Sequence, residues 1–211
     1  MDFLPAFLVH SEAELEQKSA LIRQMAPVGV HVDVMDGKFV PNTTYTPPEQ
    51  VAELFHGIPF ELHLMVADPT AVIPVWLKTP AARFIMHVES GGELERLAED
   101  IHHAGREVGF AINPATSLEQ IQPLVGRMEV LQVMGQDPGF SGKVFDPAMY
   151  DRICEIRQRF PSLTVSVDVG VNETTIPKMK SAGAHRCVAA SAIFGSDNPI
   201  AEYHKLIALA G

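Results

Sequence analysis

The run His31-Val32-Asp33-Val34-Met35, followed by Asp36-Gly37, alternates valine with polar or sulfur-bearing residues and then meets a turn signal. It reads as a β-strand. Successive side chains leave opposite faces, so residues 31, 33 and 35 share one face and Val32 and Val34 the other. Glu61-Leu62-His63-Leu64-Met65 repeats the pattern with His63 and Met65 in phase, and Ser166-Val167-Asp168 ends a further strand. If the Val and Leu positions face surrounding helices, then His31, Asp33, His63 and Asp168 project into the top of a closed sheet. Two imidazoles and two carboxylates converging there suit a divalent transition metal. Taken singly, each of the four reads more simply as a hydrogen-bonded structural residue; four in phase on three strands reverse that balance.

The rest of the chain supplies the frame for these strands. Runs rich in Val, Ile, Leu, Phe or Met at 3–9, 28–34, 60–66, 82–88, 107–112, 129–134, 163–167 and 186–190 read as strands. Segments with helical periodicity lie between and after them, at 11–25, 48–55, 70–77, 92–104, 118–124, 147–160, 173–182 and 199–210. The first begins with Ser11 and Glu14 in a capping-box pattern. Eight strands alternating with eight helices, at a repeat of roughly 26 residues, predict a single (β/α)8 TIM barrel over residues 1–211. The alternative, a doubly wound open sheet, would usually bring a G-x-G-x-x-G turn if it bound a dinucleotide, and none follows these strands. A barrel places its active site at the C-terminal ends of the strands.

Composition narrows the function classes. The 211 residues are 46% hydrophobic and 20% charged, with 15 Gly and 16 Pro, an ordinary globular balance that excludes a disordered, collagen-like or coiled-coil chain. Sixteen Lys and Arg against 26 Asp and Glu give a net charge of −10, which opposes non-specific binding of nucleic acid. Cys154 and Cys187 form no C-x-x-C pair, so neither a disulfide scaffold nor a thiolate zinc site is indicated, and a reducing, cytoplasmic setting fits best. The apolar start, residues 1–9, carries Asp2 and no basic residue, and reads as a strand rather than a signal peptide. No apolar run reaches the ~18 residues of a membrane span.

Several further residues have two readings. His87 and Glu89 end the fourth strand on one face, and site-lining and structural roles weigh equally for them. His10, His56, His102, His103, His185 and His204 fall on helices or element ends and read as solvated. Met35, Met65 and Met134 stand near strand ends, where methionine fills irregular gaps and would also give a site an apolar floor that excludes water. The segment 134–143 holds three glycines and is longer than a plain connection needs, as a lid over the barrel mouth would be. The loop 36–42 is a similar case.

At these residues the chain closely resembles the ribulose-phosphate 3-epimerase family. The motifs that carry the resemblance are His31-Val-Asp-Val-Met-Asp-Gly-Lys-Phe-Val-Pro-Asn42, His63-Leu-Met-Val66, His87-Val-Glu89, Asn113-Pro114, Asp137-Pro-Gly-Phe140, Val167-Asp168, Gly170-Val-Asn172 and Ala189-Ala-Ser-Ala-Ile-Phe194. They run through nearly the whole chain in family order. The resemblance implies a barrel of the ribulose-phosphate-binding type and a metal-dependent isomerase of the pentose phosphate pathway, which inverts C3 of D-ribulose 5-phosphate to give D-xylulose 5-phosphate. It implies one divalent transition metal per chain (Zn, Fe, Mn or Co) on His31, Asp33, His63 and Asp168, with Asp33 and Asp168 as the acid/base pair. It further implies a sugar-phosphate ligand bounded by Met35, Met65, Met134, Gly139, Gly142, Gly170, Ala190 and Ser191, a homo-oligomer, and neither nucleic acid nor membrane as a partner. The chemistry is consistent: removing a proton α to a carbonyl creates an enediolate that a Lewis acid stabilises, and inversion needs a second acid on the opposite face.

The chain departs from the family pattern in four places. Ala6 follows Pro5 where Ser is usual, Val169 stands where Asp168 is usually followed by Gly, Ala190 precedes Ser191 in place of Gly, and Ser141 and Lys143 flank Gly142 in the lid. Barrels of this type grip phosphate with backbone N–H groups near strands seven and eight, where glycine permits close approach and φ > 0. Lys143 could supply compensating charge, though a lone loop lysine is most often solvated. A different ketose or ketose phosphate is therefore an alternative substrate, and a non-catalytic metal- or sugar-binding homologue is the alternative from another class.

Overall fold

The structure is a computed structural model and describes residues 1–140 and 142–211. Its strands are β1 (Asp2–Phe7), β2 (Val30–Met35), β3 (Phe60–Met65), β4 (Arg83–His87), β5 (Glu107–Ile112), β6 (Val130–Met134), β7 (Thr164–Asp168) and β8 (Arg186–Ala189). They pair in parallel, in chain order, and β8 returns to β1, so the sheet is a closed eight-stranded barrel. Around it lie α1 (Glu12–Met25), α2 (Pro48–Leu54), α3 (Ile73–Trp76), α4 (Leu94–His103), α5 (Leu118–Ile121), α6 (Ala148–Arg159), α7 (Ile176–Ala182), α8 (Ser191–Phe194) and α9 (Pro199–Ala210). No helix of the described residues is long and apolar enough to cross a membrane.

Local chemistry explains where the elements start and stop. Ser11 Oγ accepts from the Glu14 N–H at 3.3 Å, while the Glu14 carboxylate takes the His10 N–H at 3.0 Å, so the cap of α1 is shifted by one residue from a regular box. β1 ends at Phe7 and not Val9, because the Val9 carbonyl turns to accept from the Tyr45 N–H at 2.8 Å. β2 begins at Val30, leaving Val28 exposed in the approach. The fifth helix gives way after one turn to a 3-10 segment, Gln122–Arg127, which contains Pro123 and its missing N–H. α8 is an element that periodicity could not announce, since four residues show no period.

Strand parity divides the buried side chains into two populations. Val32, Leu62, Leu64, Phe84, Phe110, Leu131, Val133, Val165 and Val167 point outward into one core with helix residues such as Leu15, Ile22, Ile101, Ile153 and Leu206. Apolar burial at about 25 cal/mol per Å2 is thus concentrated in the shell between sheet and helices. The inner face is different: His31, Asp33, Glu61, His63, His87, Gln132 and Ser166 are all buried inside the barrel. Barrel interiors are ordinarily packed with branched apolar side chains. Here the shell supplies the stability and the interior is free for polar chemistry.

Candidate active site

Parallel register builds the centre. β2 and β3 pair Asp33 with His63 and His31 with Glu61, and β6 and β7 pair Met134 with Asp168. His63 Nδ1 lies 3.1 Å from Asp33 Oδ1 and 3.5 Å from Asp168 Oδ2, and His31 Nε2 lies 3.7 Å and 3.9 Å from those same oxygens. One donor atom from each of the four residues falls within 4.8 Å of all the others. A transition metal bound at about 2.0–2.2 Å needs neighbouring donors roughly 3–4 Å apart. The residues fit such an ion, and His31 Nε2 supplies the structural sign of it: the atom is buried, aimed at the carboxylates and, among the described residues, without a hydrogen-bond partner.

Each imidazole is held from behind. His31 Nδ1 is 2.8 Å from Glu61 Oε1, and Glu61 Oε2 accepts from Arg83 and, at 2.7 Å, from Arg186. Burial works against ionisation of Glu61, but His31 and the two guanidiniums overcome it and bring its pKa down to about 2. Burial likewise opposes protonation of His31, and the surrounding carboxylates, Glu61 first, reverse that and raise its pKa. Behind His63, Nε2 lies 2.8 Å from His87 Nε2, and His87 Nδ1 lies 3.1 Å from Glu89 Oε2. Burial drives the His87 pKa down to about 4, so this ring is neutral. Burial, reinforced by Asp33, pushes the Asp168 carboxyl up.

Above the four side chains a narrow cleft opens at the C-terminal ends of the strands. Asp33 and Asp168 form its base, Met35 and Met65 one flank, and Ala6, Leu8, Val188 and Ala190 an apolar wall. Gly142, Gly170 and Ser191 also line it. Met134 and Gly139, expected at the substrate, stand outside this lining. Met134 is buried with its sulfur 3.7 Å from Gln132 Nε2. Gly139 adopts φ +104°, a Cβ there would come within 2.8 Å of Val40, and its carbonyl accepts from Asn42 Nδ2 at 2.8 Å. It therefore fastens the segment after β6 to the loop after β2. That second loop is itself tied down by Asp36, whose carboxylate accepts from the N–H groups of Lys38, Phe39 and Ala67.

Ala6 lies in the apolar wall of the cleft, and the other departures differ in what they do. Val169 and Gly170 are both left-handed, at φ +71° and +73°, and a Cβ on Gly170 would collide with the Phe145 backbone at 2.6 Å. Val169 holds a conformation that a β-branched residue rarely adopts. Ala190 has φ −110°, which any residue reaches, so the expected need for positive φ at 190 does not arise. Lys143 Nζ donates to the Asp137 carbonyl at 2.9 Å, within its own loop. Ser141 lies outside the described residues. The six histidines expected to be solvated are exposed.

Glu61 and Gln132 are the site neighbours that the sequence reading missed. Glu61 was visible in principle, being in phase with His63 in the same strand. Gln132, whose Nε2 lies 3.4 Å from Asp168 Oδ2, shares the phase of Met134.

Comparison with known proteins places this geometry in a context. The model of the ribulose-phosphate 3 epimerase family matches residues 3–194. The cytoplasmic isoform of ribulose-phosphate 3-epimerase from Oryza sativa subsp. japonica is 34% identical over 200 residues, covering 92% of this chain and 88% of the relative. The ribulose-phosphate 3-epimerase of Escherichia coli is 32% identical over 209 residues, covering 96% and 91%. Among solved structures, 3-hexulose-6-phosphate synthase from Salmonella typhimurium superposes with a TM-score of 0.76 at 12% identity, covering 100% of this chain and 98% of that one, a likeness of fold alone.

Proposed function

The chain belongs to the ribulose-phosphate 3-epimerase family, and from that premise we propose that it interconverts D-ribulose 5-phosphate and D-xylulose 5-phosphate with one divalent transition metal on His31, Asp33, His63 and Asp168. The observation that carries the reading is the convergence of these four side chains beneath the cleft, with His31 Nε2 unpartnered. When bound, the ion supplies Lewis-acid stabilisation of the negative charge that develops on the sugar's carbonyl oxygen.

The chain's own residues perform the proton transfer. Asp33 and Asp168 reach the base of the cleft from β2 and β7, so a ketose above them can meet one carboxylate on each side of C3. One takes the C3 proton and the other returns a proton to the opposite face; a single carboxylate would only restore the starting configuration. Met35 and Met65 keep water from the exposed carbanion face. Gly170 and Ser191, beside strands seven and eight, stand where barrels of this type bind phosphate. A homo-oligomer and a single domain over residues 1–211 are part of the same proposal.

The test is proton exchange at C3 of D-ribulose 5-phosphate in deuterated water, measured on chelator-stripped and metal-reloaded protein with elemental analysis. Activity should follow metal content. Asp168→Asn should lose ~10²- to 10⁴-fold in rate in preparations shown to retain metal. Stripped protein turning over at the full rate would overturn the metal assignment. A second reading, a ketose with less dependence on phosphate, is favoured by Val169 alone among the departures. It predicts similar kcat/KM for ribulose and its 5-phosphate.

A further inference from the structure

The His87-Val88-Glu89 segment is used by no step above, yet it is built into the centre. His63 and His87 are fully buried, and their rings stack with centroids 5.0 Å apart and planes 25° apart. Phe39 covers His87 from the other side at 4.7 Å between centroids. Glu89 is fixed in turn: its Oε1 accepts from the Asn113 N–H at 2.9 Å and from the Thr116 hydroxyl, leaving Oε2 for His87. Nothing in this chain of contacts opens on the cleft, whose lining includes neither His87 nor Glu89.

Hydrogen-bond bookkeeping gives the chain a direction. An ionised carboxylate only accepts, so His87 Nδ1 must carry the proton that meets Glu89. In a neutral ring His87 Nε2 is then a lone pair, and the 2.8 Å contact with His63 Nε2 requires the proton to sit on His63. With its proton on Nε2, a neutral His63 turns its Nδ1 lone pair to Asp33 Oδ1 at 3.1 Å, a contact between two acceptors that a cation bound between them would satisfy. The opposite tautomer would point an N–H into the centre and place two lone pairs against each other at His87. His31 reaches the same result by a shorter route, since Glu61 binds its Nδ1 directly and leaves Nε2 to face the centre.

We propose that His87 and Glu89 are positioning residues of the metal centre, a buried carboxylate–imidazole relay that commits His63 to the Nε2–H tautomer and to ligation through Nδ1. The proposal rests on the metal reading given above. Partners of this kind behind a ligating histidine typically change metal affinity 10- to 100-fold when removed.

The experiment uses the full chain, stripped of metal, with Co(II) as the probe. His87→Leu removes the acceptor, whereas the amide oxygen of His87→Gln can still take the His63 proton. Long-range 1H–15N spectra report the His63 tautomer, and competition with a chelator reports Co(II) affinity. We expect Nε2–H on His63 in the unaltered protein, Co(II) binding 10- to 100-fold weaker in His87→Leu with a changed cobalt spectrum, and recovery to within about tenfold in His87→Gln. If His87→Leu does not fold, Glu89→Gln serves: its amide can donate or accept, so a mixture of His63 tautomers and weaker Co(II) binding are expected. Folded variants with unchanged tautomer and affinity would overturn the relay while leaving the metal reading intact. Unaltered protein that binds no Co(II) would overturn the metal reading and the relay's purpose with it.

Discussion

Replacing Val169 by Gly and, separately, by Ala tests the backbone of the cleft. Val169 sits at φ +71°. The left-handed region costs an L-residue about 1–2 kcal/mol, a penalty that Ala shares and Gly escapes. Against this, Gly costs about 0.5–1 kcal/mol more than Ala in chain entropy. Both variants lose the isopropyl group of a half-buried side chain, so comparing them removes most of that loss. The balance puts Val169→Gly ahead of Val169→Ala by roughly 1 kcal/mol, the reverse of the usual order. Urea unfolding of metal-free protein measures the difference directly. Val169→Ala emerging as the more stable by 0.5 kcal/mol or more would refute the left-handed assignment and the argument built on it. A functional arm uses the same variants: if Val169 restricts the approach of an anion, Val169→Gly should gain up to one charge-assisted hydrogen bond to phosphate. Such a bond is worth about 1.5–3 kcal/mol, or roughly ten- to hundredfold in kcat/KM for the phosphorylated ketose, with little change for the free sugar.

Two other perturbations follow from the contacts. Glu61→Ala leaves the Arg83 and Arg186 guanidiniums and the His31 ring without their shared carboxylate, and should cost about 3–5 kcal/mol in unfolding free energy. A loss below 1 kcal/mol would mean that water replaces Glu61 there. Asp36→Asn keeps one acceptor but turns an amide N–H2 towards the Ala67 N–H, at a cost of about 1–3 kcal/mol. Burial of Asp36 opposes its ionisation, but three backbone N–H groups prevail and hold its pKa below the ordinary value. Its stabilisation is therefore present above the unfolded-state pKa and lost as pH falls through the lower folded value. The unfolding free energy of Asp36→Asn should lack that acid-side decline; parallel pH curves for both proteins would argue against it.

The rhythm of eight strand-like runs and eight helical segments anticipated the barrel, and the alternation in His31-Val32-Asp33, Glu61-Leu62-His63 and Ser166-Val167-Asp168 the convergence of the four proposed ligands, because a strand's two-residue period maps directly onto inside and outside. What lay beyond reach was pairing between strands. That Glu61 sits under His31, or that His87 touches His63, depends on barrel register and side-chain rotamers, which a single strand does not encode. Met134 and Gly139 show where the sequence stops short: Met134 points inward, paired with Asp168 across β6 and β7, and Gly139 meets Val40, yet neither borders the cleft. Ala190 shows it for backbone angles, since a glycine-like position in the family pattern proved to need no special φ.

The ion trio of Glu61, Arg83 and Arg186 also constrains how this sequence can change over generations. Three strands, β3, β4 and β8, each contribute one member, and the carboxylate that neutralises both arginines is the same one that steadies His31. A lineage that drops Glu61 first leaves two half-buried guanidiniums with only the more exposed Glu107 and Asp2 as partners, and one that drops an arginine first loosens the carboxylate behind a proposed ligand. Single-step routes thus pass through poorly stable or poorly active ancestors, while simultaneous replacement by apolar residues would relieve the charges yet abandon His31. Descendants of this chain should accordingly keep the three together or exchange them as a block, and positions 61, 83 and 186 should behave as one inherited unit.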